Sequence, residues 1–403
     1  EKAKILILST AYLPHIGGSE LAIKNITDRI HDFDFDLITA HLDRKLSKNE
    51  LVGNVSVFRV GGSLSLLRLL LPKSLLPLAV FLKALSLLKK NQYRLVHAFQ
   101  LSGAAGAGWL LKFFYPNLPL LITMQEGKDL AGQGVLINFI RKLIIKKADV
   151  ATVISHYLKN YILKVRKDIS VEVIPNGVDI RNFSRQFSYG ELTDLENSLG
   201  IKPDDRVIIS VSRLVDKNGL DLLIEAFAIL NSKFNILNSK LLLVGEGPLE
   251  ESLKFKVSAR GGSASGGKSL KLEDKVIFVG PIDNDSLPIY LKISDVFVRP
   301  ARSEGLGSAF LEAMAAEIPV IGTKIGGIPD FLEDRKTGLF CSFDPTDIAS
   351  KINVIFENDI LRKEIIKNAK RLVEEKYDWD KIAQQYRATF KHDDEVIRSN
   401  SDL

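Results

Sequence analysis

Cysteine occurs once in the 403 residues, at Cys341, so neither an intramolecular disulfide framework nor a cysteine-rich metal cluster is available to this chain. That scarcity fits a reducing, cytoplasmic setting, and Cys341 itself reads as a small buried hydrophobe. The chain also lacks the run of about 20 uninterrupted apolar residues that a helix needs to span a bilayer. Its most apolar stretch, SLSLLRLLLPKSLLPLAVFLKALSLLKK at 63 to 90, is cut by Arg68, Pro72, Lys73, Pro77 and Lys83. Two readings of it stand: a partly buried helix with its connecting loop, which we favour, or an interfacial segment from Leu64 to Lys90 in peripheral contact with an anionic membrane. No charged leader precedes the opening EKAKILIL, so no signal peptide is expected. The net charge of +6 suits an anionic partner. No basic patch interleaved with aromatics is present, which argues against nucleic acid.

What is present is length and alternation. The chain is too long for one ordinary core and 46% of it is hydrophobic, enough for two. KILILST at 4 to 10 reads as a strand, followed by a loop with Gly17 and Gly18 and a helix, SELAIKNITDRI, that Ser19 would cap. RVIISVS at 206 to 212 repeats that opening, with the loop RLVDKNG and the helix LDLLIEAFAIL. Further strands follow in each half: FDLITA, RLVHAFQ, PLLITM and ADVATVIS, then KLLLVG, KVIFVG, DVFVRP and PVIGT. The pattern predicts an α/β chain with two Rossmann-like parallel sheets facing each other across a cleft. The expected division is 1–180, 181–378 and a final helical segment 379–403. SARGGSASGGKS at 258 to 269 has flexible-linker composition and reads as a mobile surface loop.

Ligands of such sheets bind beyond the carboxyl ends of the strands, and several chemical groups fall there. Gly17 and Gly18 precede a helix start, where backbone N–H groups suit a phosphate. Arg213, with Lys217 four residues on, can neutralise a diphosphate. GEGP at 245 to 248 ends another strand. RSEGLGSAFLEAMAAEIPVIG at 302 to 322 places Glu304 and Glu312 around a glycine turn and a helix start. At about 100° per residue, Phe310, Leu311, Met314 and Ala315 form that helix's core face, and Glu312 lies opposite among Ser308, Ala309, Ala313 and Ala316. A surface glutamate on a solvated face is the plainer reading of Glu312; a face of small residues that admits a ligand is the other.

Together PHIGGSE, PNGVD, SRLVDKNGLDLLIEAF, LLVGEGP, SEGLGSAFLEAMAAEIPVI and GGIPDFLEDRKTGLF resemble the retaining glycosyltransferases of the GT-B fold, family four. The resemblance covers nearly the whole chain and is strongest from 205 to 342. YDWDKIAQQY resembles the helix that crosses back to the first domain. It implies a hexosyltransferase that takes a nucleoside-diphosphate sugar, UDP first and GDP or ADP next, and acts on a glycan, lipid or small-molecule acceptor without metal or other cofactor. Arg213, Lys217 and Glu304 would be catalytic. Donor binding would involve Gly17, Gly18, Gln125, Asn218, Gly245, Gly280, Glu304, Gly305, Leu306, Gly307, Ser308 and Glu312, with Glu312 on the ribose. Three positions depart from the family pattern: Asn218 stands where lysine is usual, Gln125 where histidine is usual, and Glu317 where glycine is usual. A sugar-nucleotide epimerase of the same shape and a decayed binding protein are the rival readings.

Overall fold

The structure, a computed structural model, describes residues 2–15, 17–61, 76–101, 103–127, 132, 134–261 and 272–400. It divides into two compact units, Glu1–Gly177 with Trp379–Leu403, and Val178–Asp378. The divisions fall inside the PNGVD turn and just before the last helix.

The first unit contains, in order, β1 (Ala3–Leu8), α1 (Gly18–Arg29), β2 (Phe33–Ala40), β3 (Asn49–Val52), β4 (Val55–Val60), α2 (Leu76–Leu88), β5 (Tyr93–Phe99), α3 (Ala105–Phe114), β6 (Leu120–Met124), α4 (Val135–Lys147), β7 (Val150–Val153), α5 (His156–Val165) and β8 (Ser170–Val173). Its sheet runs β3-β4-β2-β1-β5-β6-β7-β8, and only β3 is antiparallel to its neighbour. Ile5 to Leu8 are completely buried, as expected of a strand covered on both faces by helices.

The second unit contains α6 (Ile180–Phe183), α7 (Tyr189–Ser198), β9 (Arg206–Val211), α8 (Leu220–Lys233), β10 (Ser239–Val244), α9 (Glu250–Gly261), β11 (Val276–Gly280), α10 (Leu287–Lys292), β12 (Val296–Arg299), α11 (Ser308–Ala315), β13 (Val320–Thr323), β14 (Leu339–Cys341), α12 (Pro345–Glu357) and α13 (Asp359–Lys376). Its parallel sheet is β11-β10-β9-β12-β13-β14. Counting parallel strands in chain order, both sheets follow the doubly wound order 3-2-1-4-5-6, the first with one strand more. The order reverses beside β1 in one unit and beside β9 in the other.

The last helix, α14 (Trp379–Asn400), belongs to the first unit. Its Trp379, Ile382, Ala383, Tyr386 and Phe390 share one apolar cluster with residues of β1, α1 and β2. Phe390 meets Phe33 edge-on at 5.8 Å between ring centroids. Burying two such aromatics contributes roughly 1.5–3 kcal/mol each. Gly177 lies so close that a Cβ there would stand 2.7 Å from Trp379 Cδ2, which is why the turn before the division needs glycine.

One local expectation changes, one agrees where it is described, and one lies largely outside the described residues. α1 begins at Gly18 with Gly17 as its cap, and Ser19 sits inside the helix, where its buried hydroxyl accepts from Gln100 Nε2 at 2.9 Å. Of the apolar stretch 63–90, the segment 63–75 lies outside the described residues. The rest forms α2, whose Val80, Phe81, Ala84 and Leu87 are buried while Leu78 and Leu82 are exposed. In the stretch 258–269, α9 continues to Gly261 and the remainder lies outside the described residues. Among the described residues no helix is long and apolar enough to cross a membrane.

Candidate functional site

In the second unit the loops after β9 and β12 rise side by side at the strand-order reversal, and they are laced together. Arg302 N–H donates to the Lys217 carbonyl at 2.6 Å, and the Arg302 guanidinium donates to the Asp216 carbonyl at 2.7 Å and grips both oxygens of Asp221 at 2.8 and 2.7 Å. A planar fork meeting a carboxylate on two bonds fixes orientation as well as distance. The loop carrying Arg213 and Lys217 is thereby tied to the loop carrying Glu304. Arg213 is exposed and Lys217 half-buried.

Asn218 is almost fully buried, and its Nδ2 donates to the Arg213 carbonyl at 2.7 Å. Where the family usually has a charged side chain, this chain has an amide that closes its own turn, so Asn218 acts on the shape of the cationic loop.

Glu304 is held by a residue the sequence reading did not single out. Arg299, the last residue of β12, is 5% exposed. Its Nη2 lies 2.7 Å from Glu304 Oε2, its Nη1 donates to the Val211 carbonyl at 3.3 Å, and its guanidinium stands 4.7 Å over the Phe310 ring. The other carboxylate oxygen, Oε1, accepts from Gly305 N–H at 3.0 Å. One signal was available: an arginine in the otherwise apolar strand VFVR is costly to bury unless paired.

The GGIPD segment fixes the other side of Glu304. Gly326 has φ +55 and packs against the Glu304 backbone so closely that a Cβ would collide with its carbonyl oxygen, which also accepts from Gly327 N–H at 3.2 Å. The turn continues through buried Gly305, Leu306 and Gly307 to half-buried Ser308, the first residue of α11. Gly307 caps that helix in the left-handed region, φ +104, and brings no capping side chain. Phe310 N–H turns back to the Gly307 carbonyl at 2.9 Å, and with no capping side chain the N–H groups ahead of it, those of Ser308 and Ala309, suit an oxygen from elsewhere.

Glu312 lies on α11, which packs on β13, α13 and α6. Ala313 and Ala316 are consequently buried, while Ser308, Ala309 and Glu312 are half-buried. Loss of water pushes the Glu312 carboxyl up to about 7, more than a fully solvated surface glutamate would show, and the Arg299 charge opposes this only in part. Glu317 follows the helix at φ +65, a left-handed position that explains the usual glycine there, and its Oε1 meets Lys370 Nζ at 3.0 Å.

Gly245 and Gly280 end β10 and β11, farther along the sheet. Gly245 N–H donates to the Gly280 carbonyl at 2.8 Å, and a Cβ on Gly245 would strike the Ser212 carbonyl. Close backbone packing requires glycine at Gly245, whereas Gly280, at φ +83, has open space around it and is held to glycine by its left-handed backbone.

The first unit holds Gly17, Gly18 and Gln125. Gln125 is buried and exchanges amide hydrogen bonds with Asn176 of the PNGVD turn, at 3.1 and 3.5 Å. Asn176 lies beside Gly18: a Cβ there would be 3.9 Å from Asn176 Nδ2. The α1 N-terminus already faces a carboxylate, since a Cβ on Gly17 would sit 2.5 Å from Glu20 Oε2.

Residues 193–372 match the family described as Glycosyl transferases group 1, and residues 16–182 match Glycosyltransferase Family 4. Among individual relatives, N-acetyl-alpha-D-glucosaminyl L-malate synthase of Bacillus anthracis is 27% identical, covering 96% of this chain and 97% of its own. In solved structures the fold is shared with sucrose-phosphate synthase from Thermosynechococcus elongatus, at TM-score 0.80 and 22% identity over 97% of this chain and 98% of that one. It is shared too with Anabaena HepE in complex with UDP-glucose, at TM-score 0.76 and 21% identity over 96% and 98%. Two doubly wound units, a glutamate pair around the helix start after β12, and these matches along both units lead to one assignment: the chain is a glycosyltransferase of family four with the GT-B fold.

Proposed function

We propose that this glycosyltransferase moves a hexosyl group from a nucleoside-diphosphate sugar to a glycan, lipid or small-molecule acceptor, with retention of anomeric configuration and without a metal ion, in the cytoplasm. The observation that carries the reading is the pairing of a cationic loop with an anchored carboxylate at the strand-order reversal: Arg213 and Lys217 on one loop, Glu304 clamped by Arg299 on the next, and Arg302 joining them. UDP is the first base to try, because HepE, of the same fold, is seen with UDP-glucose.

In this reading the diphosphate lies against Arg213, Lys217 and the uncapped start of α11, where negative charge grows as the C1–oxygen bond breaks. Glu304 accepts from sugar hydroxyls through the lone pairs left by Arg299 and Gly305, and Glu312 accepts from the ribose. The acceptor hydroxyl bonds to C1 on the face the diphosphate leaves, and its proton passes to the departing phosphate oxygen. No side chain then has to form a covalent bond to the sugar, which suits a site where Gln125 replaces the usual histidine. The test is transfer from an α-configured UDP-hexose in the presence of a chelator, with the product's anomeric proton read by NMR. An α-linked product supports the reading; a β-linked product, or activity that vanishes with the chelator, contradicts it.

A further inference from the structure

Helix α4 buries Ile144 and Ile145 in its last turns, but its first two turns are apolar outward, which a helix that only covers a sheet does not need. Val135, Leu136, Phe139 and Ile140 face outward, with Val135 89% and Leu136 70% exposed, whereas Arg141 points inward and is 2% exposed. Arg141 Nη1 donates to Asn138 Oδ1 at 2.8 Å. Its charge also acts on buried Glu126, whose carboxyl is pushed up by loss of water and drawn back in part by Arg141. A buried polar anchor with an apolar exterior is the arrangement of an element held in place for something outside to cover.

The neighbouring helices extend the same face. α3 packs between α2 and α4 and exposes Phe113 and Phe114, and α2 exposes Leu78 and Leu82. Phe114 and Phe81 stack at 5.4 Å, and Lys147 Nζ stands 5.0 Å over the Phe113 ring, so the three helices form one surface. Soluble surfaces seldom gather so many large apolar side chains without a partner.

Charge says which partner. The sequence has no aspartate or glutamate between Glu50 and Glu126, nor between Asp129 and Asp149, so α2, α3 and α4 carry none. They do carry lysines, among them exposed Lys142 and Lys146 on the outward side of α4, one turn behind its apolar tip. Asp149, just past α4, is engaged by Lys112 at 2.9 Å. Apolar side chains ahead and cations behind, with no carboxylate among them, match an interface where acyl chains lie beneath anionic headgroups.

We propose that the α2–α3–α4 face docks this chain on an anionic lipid bilayer, with the outward residues of α4 entering the acyl boundary. The proposal does not depend on the donor chemistry. The full chain is sedimented with phosphatidylcholine vesicles, with and without phosphatidylglycerol. Binding is expected only with the anionic lipid, with release at high salt. Leu136→Glu combined with Phe139→Glu should weaken it at least tenfold, and Lys142→Ala or Lys146→Ala about fivefold each, the change equivalent to about 1 kcal/mol per cation near such a surface. Both kinds of variant replace exposed side chains, and melting temperature and nucleotide affinity should stay as in the parent. Equal binding to neutral and anionic vesicles, no binding to either, or a dimer that the glutamate variant converts to monomer without any change in vesicle binding would each overturn the proposal.

Discussion

The loop after β1 and the loop after β9 start from the same place in two sheets of the same strand order, and they end differently. The first reaches an uncapped helix through Gly17, meets the Glu20 carboxylate there, and is surrounded by the neutral amides of Gln100, Gln125 and Asn176. The second carries Arg213 and Lys217 and is bound to the next loop by Arg302. A doubly wound sheet supplies the crevice; the side chains placed at its rim decide what charge it accepts. The first unit's rim carries a carboxylate and neutral amides, and the second unit's carries two cations.

The contrast breaks most heavily at Arg299. Replacing it with Met strips the partner from a nearly buried carboxylate, and losses of about 3–5 kcal/mol are typical for one side of such a pair. Urea unfolding followed by hydrogen exchange should show the loss in peptides of β12 and α11 and leave β1 and β5 unaffected. Restoring part of it with Glu304→Gln in the same chain would confirm the pair as the cause. Next in size, Arg213→Ala should lower turnover by more than a hundredfold through lost leaving-group stabilisation, about 2.7 kcal/mol or more. Gln125→Ala in the first unit should cost far less, and steady-state rates on both variants measure the difference.

Acidity should separate the units in opposite senses. Buried His97 in the first unit, 2.6 Å from Thr123 Oγ1, is pushed down to about 3 by loss of water. It is held neutral in the fold, so its contribution is present above its unfolded value near 6.5 and is lost as pH falls from there toward 3. Glu312 in the second unit is raised to about 7, so the fold favours its protonated form, and stability is lost as pH rises from about 4.5 through 7. Melting curves of Glu312→Gln should lack that alkaline loss and keep the acid one. Smallest of all, Glu317→Gly should relieve a left-handed backbone strain of about 1–2 kcal/mol while losing a half-exposed ion pair worth up to about 1, for a net gain between about 0 and 2 kcal/mol in thermal unfolding.

Sequence carried the architecture because parallel strands buried on both faces read as continuous apolar runs, and because the glycine turns and the glutamate pair of the second unit sit at fixed spacing from strand ends. It missed the supports of those residues. Arg299 looked like the end of a strand, and only burial against Phe310 and contact with Glu304 reveal its task. Arg302 drew no notice in the sequence, because its partner Asp221 lies 81 residues away and both carboxylate oxygens meet it only in the fold. The small-residue face of α11 was read as open, yet part of it is covered by α13 and α6, elements distant in sequence whose placement no local pattern announces.

The central claim is that nucleotide recognition resides in the second unit, with Glu312 as a ribose ligand. Calorimetric titration of UDP, with GDP and ADP in parallel, into the parent chain and Glu312→Ala addresses it directly. The account predicts binding by the parent and a loss of about 1.5–3 kcal/mol in the variant, roughly 10- to 150-fold in dissociation constant, with the variant still cooperatively folded in the absence of ligand. An unchanged dissociation constant, or no binding of any nucleoside diphosphate to the parent, would contradict it.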